Sequence, residues 1–222
     1  MTDNATFAAI LWIKETATQE LGITIKEYYG KSDIIGDKKH SDVGSLLGRG
    51  IHAMAEADIP ANILNDVLKI DGQKLIDHWK LGKQFKDRGG QSTKHINVAN
   101  LLTAMFIATG QDVASVAESH TASFDMEPSK VHPGGVHFSM SLPSLAIGTV
   151  GGGTGLPTQR ECLEMMGCFG TGKVRRLAEI IAGFCLALDI STYSSIHAAQ
   201  SALCYARDRP KTEKKSHVST PL

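Results

Sequence analysis

Three groups of residues in this chain combine types that can do chemistry at an oxygen atom. The first is the charged run Asp37-Lys38-Lys39-His40, the second leads from Asn100 to Gly110-Gln111-Asp112, and the third is Ile147-Gly148-Thr149-Val150-Gly151-Gly152-Gly153-Thr154. A lysine cation stabilises negative charge developing on oxygen, a nearby carboxylate keeps such a lysine protonated, and backbone N–H groups uncovered by glycine can approach a ligand closely. Each group also has an ordinary reading. A charged loop is usually solvated, an Asp after a helix is a turn former, and successive glycines make a flexible loop or a tight core turn. The order of the three along the chain carries more information than any one of them.

The elements that must position these groups follow from apolar spacing. Thr6 to Leu21 has helical periodicity (Phe7, Ile10, Leu11, Ile13) and Gly22 supplies a stop. Ile23, Ile25 and Tyr28 alternate as in a short strand, and the run through Gly30, Gly36 and Asp37 to His40 is loop. His52 to Ile59 reads as a strand, with Pro60 suiting the first turn of a helix from Ala61 to Ile70. The polar segment Lys83 to Lys94, carrying Gly89-Gly90, reads as loop, and Ile96 to Ala108 as a buried helix closed by Gly110. Val136, Phe138, Met140 and Leu142 alternate as a strand, and Leu145 to Val150 continues it towards the glycines. Thr158 to Met166, Val174 to Leu188 and Ser191 to Arg207 are helical, and the polar tail from Pro210 reads as disordered. The class expected is α+β, a small mixed sheet with a C-terminal helical bundle.

The chain has 222 residues, with 23 Lys+Arg against 23 Asp+Glu, 42% hydrophobic and 21% charged residues. That is the composition of one globular domain, and its zero net charge gives no electrostatic argument for a nucleic-acid partner. The longest apolar runs, around Leu101 to Ala108 and Ile180 to Leu188, fall well short of the roughly 20 residues that span a bilayer, so no membrane partner is expected. The N-terminus lacks the basic cluster of a targeting signal, and Cys162, Cys168, Cys185 and Cys204 show no CxxC spacing. These point to a cytoplasmic chain with reduced thiols and no metal site.

The ordered motifs resemble the C-terminal catalytic portion of class I hydroxymethylglutaryl-CoA reductases. The likeness runs from about Gly36 to Ala199: Gly36-Asp37-Lys38-Lys39 followed by Gly48-Arg49-Gly50, Ala57-Asp58-Ile59-Pro60, Val98-Ala99-Asn100-Leu101-Leu102-Thr103-Ala104 leading to Gly110-Gln111-Asp112, Ser139-Met140-Ser141-Leu142-Pro143-Ser144, and Ile147 to Thr154. The resemblance implies NADPH-dependent reduction of an acyl-CoA thioester to mevalonate, an isoprenoid precursor. Lys38 falls on the catalytic lysine that would stabilise the carbonyl oxygen, and Asp112 on the carboxylate that keeps it charged. Asn100, Lys39 and Asp37 fall on substrate-positioning residues, and Gly151, Gly152, Gly153 and Thr154 on the cofactor loop. By the same resemblance, 1–30 is a remnant of the small cofactor domain, 31–209 the C-terminal part of the catalytic domain, and 210–222 a tail.

The chain also departs from that pattern. The upstream glutamate and the Asp-Ala-Met-Gly-Met-Asn type fingerprint of the cofactor domain have no counterpart, so the chain reads as N-terminally truncated and divergent. Tyr205 stands where the family has a histidine that protonates the CoA thiolate, while His197 and His217 read as incidental. Lys83, Lys86, Asp87, Arg88 and Lys94 replace small residues along the CoA path. The expectation is therefore a reductase-like protein that is not self-sufficient, working as a homo-oligomer or with a complementing reductase chain. The alternative is a non-catalytic homologue acting as a CoA-binding or assembly partner. Val98 to Ala108 and Ser195 to Leu203 are the expected contact faces. If the site survives, Lys38 and Asp112 should converge as a buried pair beside Asn100 and the glycine loop, costing about 3 to 5 kcal/mol to break on one side.

Overall fold

The computed structural model of the chain describes residues 2–27 and 38–208. Asp37, Tyr28, the segment around Gly30 and Gly36, and the tail with His217 lie outside the described residues. Helix α1, Thr2–Leu21, ends at Gly22 with a left-handed φ of 63°. Residues Ile23 to Glu27 form no strand, so the alternation there does not become sheet. The short helix α2, Asp42–Leu47, starts where Ser41 Oγ accepts a hydrogen bond from Gly44 N–H at 2.9 Å.

Strand β1, Ile51–Ile59, leads through Pro60 into α3, Ala61–Asp66. That helix is shorter than its apolar run, because the chain turns at Lys69, which has a φ of 58°. Helix α4, Gly72–Arg88, replaces the loop expected from Lys83 onward. Asp71 accepts from the Lys74 N–H at its start, and Leu75, Ile76 and Trp79 are buried, while Lys74 and Lys80 are exposed and Lys86 is half-buried, its Nζ 5.3 Å from the centre of the Trp79 ring and donating to His95 O at 3.0 Å. The polar run is thus mostly the solvated side of a helix, closed only at Gly89-Gly90.

Helix α5, Val98–Thr109, buries Val98, Leu102, Phe106 and Thr109 on one stripe and ends at Gly110, left-handed with φ 69°. A 3-10 turn, Val113–Ser115, and the single turn α6, Val116–Ser119, follow. Strand β2, Ser123–Pro128, joins β3, Val136–Leu145, whose residues alternate between buried and half-buried. The sheet order is β1-β3-β2 and both ladders are antiparallel, with Ala57 opposite Phe138 and Met126 opposite the same residue. The expected mixed character is confined to one parallel bridge between Lys94 and Ser123. Beyond β3 the chain leaves the sheet at Leu145 rather than continuing it to Val150.

Helices α7, Pro157–Met165, and α8, Val174–Asp208, complete the fold. Of the two arrangements the C-terminal periodicity allows, three short helices or one long pair, the chain forms the pair, with Asp189 fully buried inside α8. Its carboxylate accepts the Ile96 and Asn97 N–H groups at 3.0 and 2.8 Å, satisfying donors at the start of α5. Helix α8 packs on β1, β3 and α5, α7 on α5, and α4 on β2. Phe138, Met140, Leu142, Phe106, Leu177 and Ile181 form the shared core, each fully buried side chain of this kind contributing about 1.5–3 kcal/mol.

The stretch Val174–Ala199 is, among the described residues, long and apolar enough to cross a membrane, unlike the shorter runs read from sequence; 56% of its most apolar window is buried against the sheet and neighbouring helices. It is the core helix of this domain. Cys168 and Cys185 are buried free thiols and Cys162 is half-buried. Burial, reinforced by Asp189, pushes the Cys185 thiol up to about 12.

Candidate active site

Lys38 and Asp112 meet at a corner where the turn after residue 37 crosses the end of α5. Lys38 Nζ lies 2.7 Å from Asp112 Oδ2. Asp112 is fixed by its other oxygen, which accepts the Ala114 N–H at 3.1 Å and caps the 3-10 turn. The hydrogen bond from Lys38 holds the Asp112 carboxyl below its ordinary value, against the effect of burial and with help from Ala114 N–H. Convergence is as expected, but burial is not: the side chains are 48% and 51% exposed. Breaking such a pair costs up to about 1 kcal/mol rather than the figure for a buried one. Lys38 also has a φ of 58°, left-handed and rare for a residue with a Cβ; such a conformation costs about 1–2 kcal/mol.

A second ion pair lies beneath this turn. Glu118 on α6 is nearly sealed from solvent and takes the Arg49 guanidinium on Oε2, while its Oε1 accepts the Lys38 backbone N–H at 3.5 Å. Arg49 is tied back to the sheet, its N–H donating to Ser144 Oγ at 3.2 Å, and Ser144 Oγ donates to Gly44 O at 2.9 Å. Ser119, beside Glu118, accepts the Ala146 N–H at 3.0 Å. The Gly48-Arg49-Gly50 motif, the end of β3 and α6 therefore converge under the lysine turn.

The glycine-rich segment is clamped to the same corner. Gln111 Oε1 accepts Gly148 N–H at 2.7 Å and its Nε2 donates to Gly148 O at 2.9 Å, a two-point match between a side-chain amide and a backbone unit. A Cβ on Gly110 would lie 2.3 Å from the Gly153 carbonyl, and one on Gly153 would lie 2.8 Å from Gly110 O. Both glycines are needed so that two backbones can touch. Thr154 is buried and donates to Gly151 O at 2.7 Å. Gly151 and Gly152 are exposed, and a Cβ on Gly152 would meet open space. The loop thus divides: Gly153 and Thr154 form a tight core turn, and Gly151 and Gly152 offer a ligand one open edge. These residues do not by themselves enclose a dinucleotide.

The remaining sequence-derived residues are placed as follows. Lys39 is exposed beside Lys38. Asn100, exposed on the first turn of α5, donates to Asn97 Oδ1 at 2.9 Å, and Asn97 Nδ2 donates to Thr192 Oγ1 at 2.7 Å. Asp37 and the side chain of Tyr205 are outside the described residues. His197 rings against His78 with centroids 5.4 Å apart, between α8 and α4.

Three histidines gather beside the lysine turn, of which sequence reasoning passed over His95 and His120: His40 and His95 flank His120, with ring centroids 5.9 and 6.0 Å away. His120 Nδ1 pairs with Val116 O and His40 Nε2 with Ser92 Oγ. Both His95 ring nitrogens are buried without a hydrogen-bond partner among the described residues, and burial pushes this imidazole's pKa down, towards the neutral form. Glu118 was also missed.

A half-exposed lysine–aspartate pair thus stands at this corner, braced by a glycine loop on a small antiparallel sheet with a helical layer. The profile of the family described as hydroxymethylglutaryl-coenzyme A reductase matches residues 1–203, and the chain belongs to that family. It is 35% identical over 179 residues to the 3-hydroxy-3-methylglutaryl-coenzyme A reductase of Methanocaldococcus jannaschii, covering 80% of this chain and 43% of that protein. It is 41% identical over 175 residues to the enzyme of the same name from Aeropyrum pernix, covering 75% and 40% respectively. The reductase of Drosophila melanogaster is 32% identical over 198 residues, 84% of this chain and 21% of the fly protein. The chain thus spans less than half the length of these relatives.

Proposed function

We propose that this chain carries the lysine–aspartate part of a hydroxymethylglutaryl-CoA reductase site and works with further reductase sequence, an upstream segment or a second chain, that supplies the glutamate and most of the cofactor site. The observation that supports it best is the Lys38–Asp112 contact at 2.7 Å, formed between distant segments and braced through Gly110 against Gly153. Reduction of an acyl-CoA thioester to an alcohol puts negative charge on the carbonyl oxygen. Lys38 Nζ, still reachable from solvent, would stabilise that charge, and Asp112 would keep the ammonium protonated and aimed. Lys39, Asn100 and Asp37 would hold the substrate.

NADPH is the hydride source that family membership implies. Gly151 and Gly152 would form one edge of its site, with Gly153 and Thr154 as the supporting turn, and the rest would come from the complementing reductase sequence. On this chain alone, NADPH binding should be weaker than micromolar, since affinity requires burying much of the ligand. The setting is cytoplasmic and reducing. Self-association is proposed through the outer face of α5, where Asn100, Ala104 and Ile107 are exposed, and through the exposed Ser195, Ile196 and Ala199 of α8. Residues 1–30, including α1, are assigned to the cofactor-domain side, and 31–209 to the catalytic domain.

The test is reconstitution. The purified chain is mixed with the N-terminal portion of a homologous reductase that ends before its own lysine loop, and NADPH oxidation is followed with hydroxymethylglutaryl-CoA. Oxidation by the mixture and by neither component alone is the expected result. An inactive mixture, together with CoA binding to this chain by calorimetry, would overturn it in favour of a non-catalytic CoA-binding or assembly partner.

A further inference from the structure

Lys38 stands in a backbone conformation that a residue with a Cβ avoids, so something must hold it there. Its side chain is long and half-exposed, and the pairing of its Nζ with Asp112 does not by itself fix the main chain. The backbone N–H has its own acceptor, Glu118 Oε1, at 3.5 Å. Glu118 is 5% exposed and comes from a separate element, α6, and its other oxygen takes the Arg49 guanidinium. Arg49 is in turn anchored by Ser144 on β3. A rigid carboxylate, held by the sheet through an arginine, therefore sits under the strained turn that presents the lysine.

We propose that Glu118 is a positioning residue for Lys38: with Arg49 it pins the left-handed turn so that the ammonium reaches Asp112. The inference deepens the reading of Lys38 and Asp112 as the reactive pair and rests on it. Glu118 does not itself face the substrate. Its carboxylate is committed to Arg49, which suits a fixed acceptor and not a proton donor.

The experiment uses the sign of an electrostatic effect. Deleting the Glu118 charge near Asp112 would by itself lower the Asp112 pKa, since a neighbouring negative charge disfavours ionisation. Releasing Lys38 would raise it, because the lysine hydrogen bond is what depresses it. The full chain is labelled with 13C at aspartate carboxyls, Asp112 is assigned with Asp112→Asn, and its titration is read by NMR in wild type, Lys38→Met, Glu118→Ala and Glu118→Gln. The expected result is an upward shift in Glu118→Ala towards the Lys38→Met midpoint but short of it, since the Glu118 charge is also gone, with a smaller upward shift in Glu118→Gln, which keeps an acceptor oxygen.

A fall, or no change, in folded Glu118 variants overturns the proposal and leaves Glu118 only a structural role, whatever happens to the melting temperature. If Glu118→Ala does not fold by circular dichroism, the sign of the shift in Glu118→Gln decides in the same way. A wild-type Asp112 midpoint unmoved by Lys38→Met would instead show that the lysine–aspartate pair is not formed, which is failure of the underlying reading and not of Glu118 alone.

Discussion

Two ion pairs lie within one corner of this protein and differ in what surrounds them. The outer pair, Lys38–Asp112, keeps about half of each side chain in water, at 48% and 51% exposure. The inner pair, Arg49–Glu118, has a carboxylate only 6% exposed and a guanidinium 35% exposed. Coulomb attraction between exposed charges is weak and screened, and attraction beneath them is stronger but entails desolvation. The comparison separates two tasks. The inner pair holds the corner together, while the outer pair is presented to solvent and contributes little to holding the fold.

Breaking the inner pair should have the largest effect. Glu118→Ala leaves Arg49 without its carboxylate, and Arg49→Ala leaves Glu118 buried and uncompensated; each should cost about 3 kcal/mol, the low end for one side of a buried pair because Arg49 keeps part of its side chain in water. Urea denaturation measures this. Lys38→Met and Asp112→Asn should cost under about 1 kcal/mol by the same measurement, and equal losses from the two pairs would erase the distinction drawn between them.

Acid should sharpen the contrast further. Asp112 has a folded pKa below its unfolded value of 3.8, so its contribution is present above pH 3.8 and is lost as pH falls through the folded value. The difference in stability between wild type and Asp112→Asn should therefore shrink towards zero on acidification across that window. The smallest effect is that of salt. Screening at high ionic strength should remove most of the contribution of the outer pair and little of that of the inner one, as read from melting temperatures of the same variants in low and high salt.

Much of this corner was legible in sequence because its parts are local. Gly110 after an apolar helix predicts a left-handed stop, and the alternation through Phe138 and Met140 predicts a strand; both occur. The approach of Lys38 to Asp112 followed from the order of motifs and not from local spacing. What stayed hidden depends on tertiary partners. Lys83 to Arg88 looked like loop because only the outward side of α4 was visible in the pattern, while the buried stripe ended at Trp79. Strand β2 has only Phe124 and Met126 as buried residues, too few to show a period. Helix α8 runs on between Leu188 and Ser191, where the charge of Asp189 is satisfied by the N–H groups of Ile96 and Asn97, far away in sequence. Glu118 was silent for the same reason, its partner lying on another element. Exposure of the Lys38–Asp112 pair could not be read at all, since it is set by how the turn sits on the rim of the sheet.

Lys38, paired with Asp112, is proposed as the cation that stabilises the reacting oxygen. The direct measurement is turnover of hydroxymethylglutaryl-CoA and NADPH by the reconstituted mixture with Lys38→Met in place of the wild-type chain, at matched folded fraction. A fall of about 10²- to 10³-fold is expected, the usual loss on removing one group that stabilises an oxyanion. Wild-type turnover with Lys38→Met would contradict it.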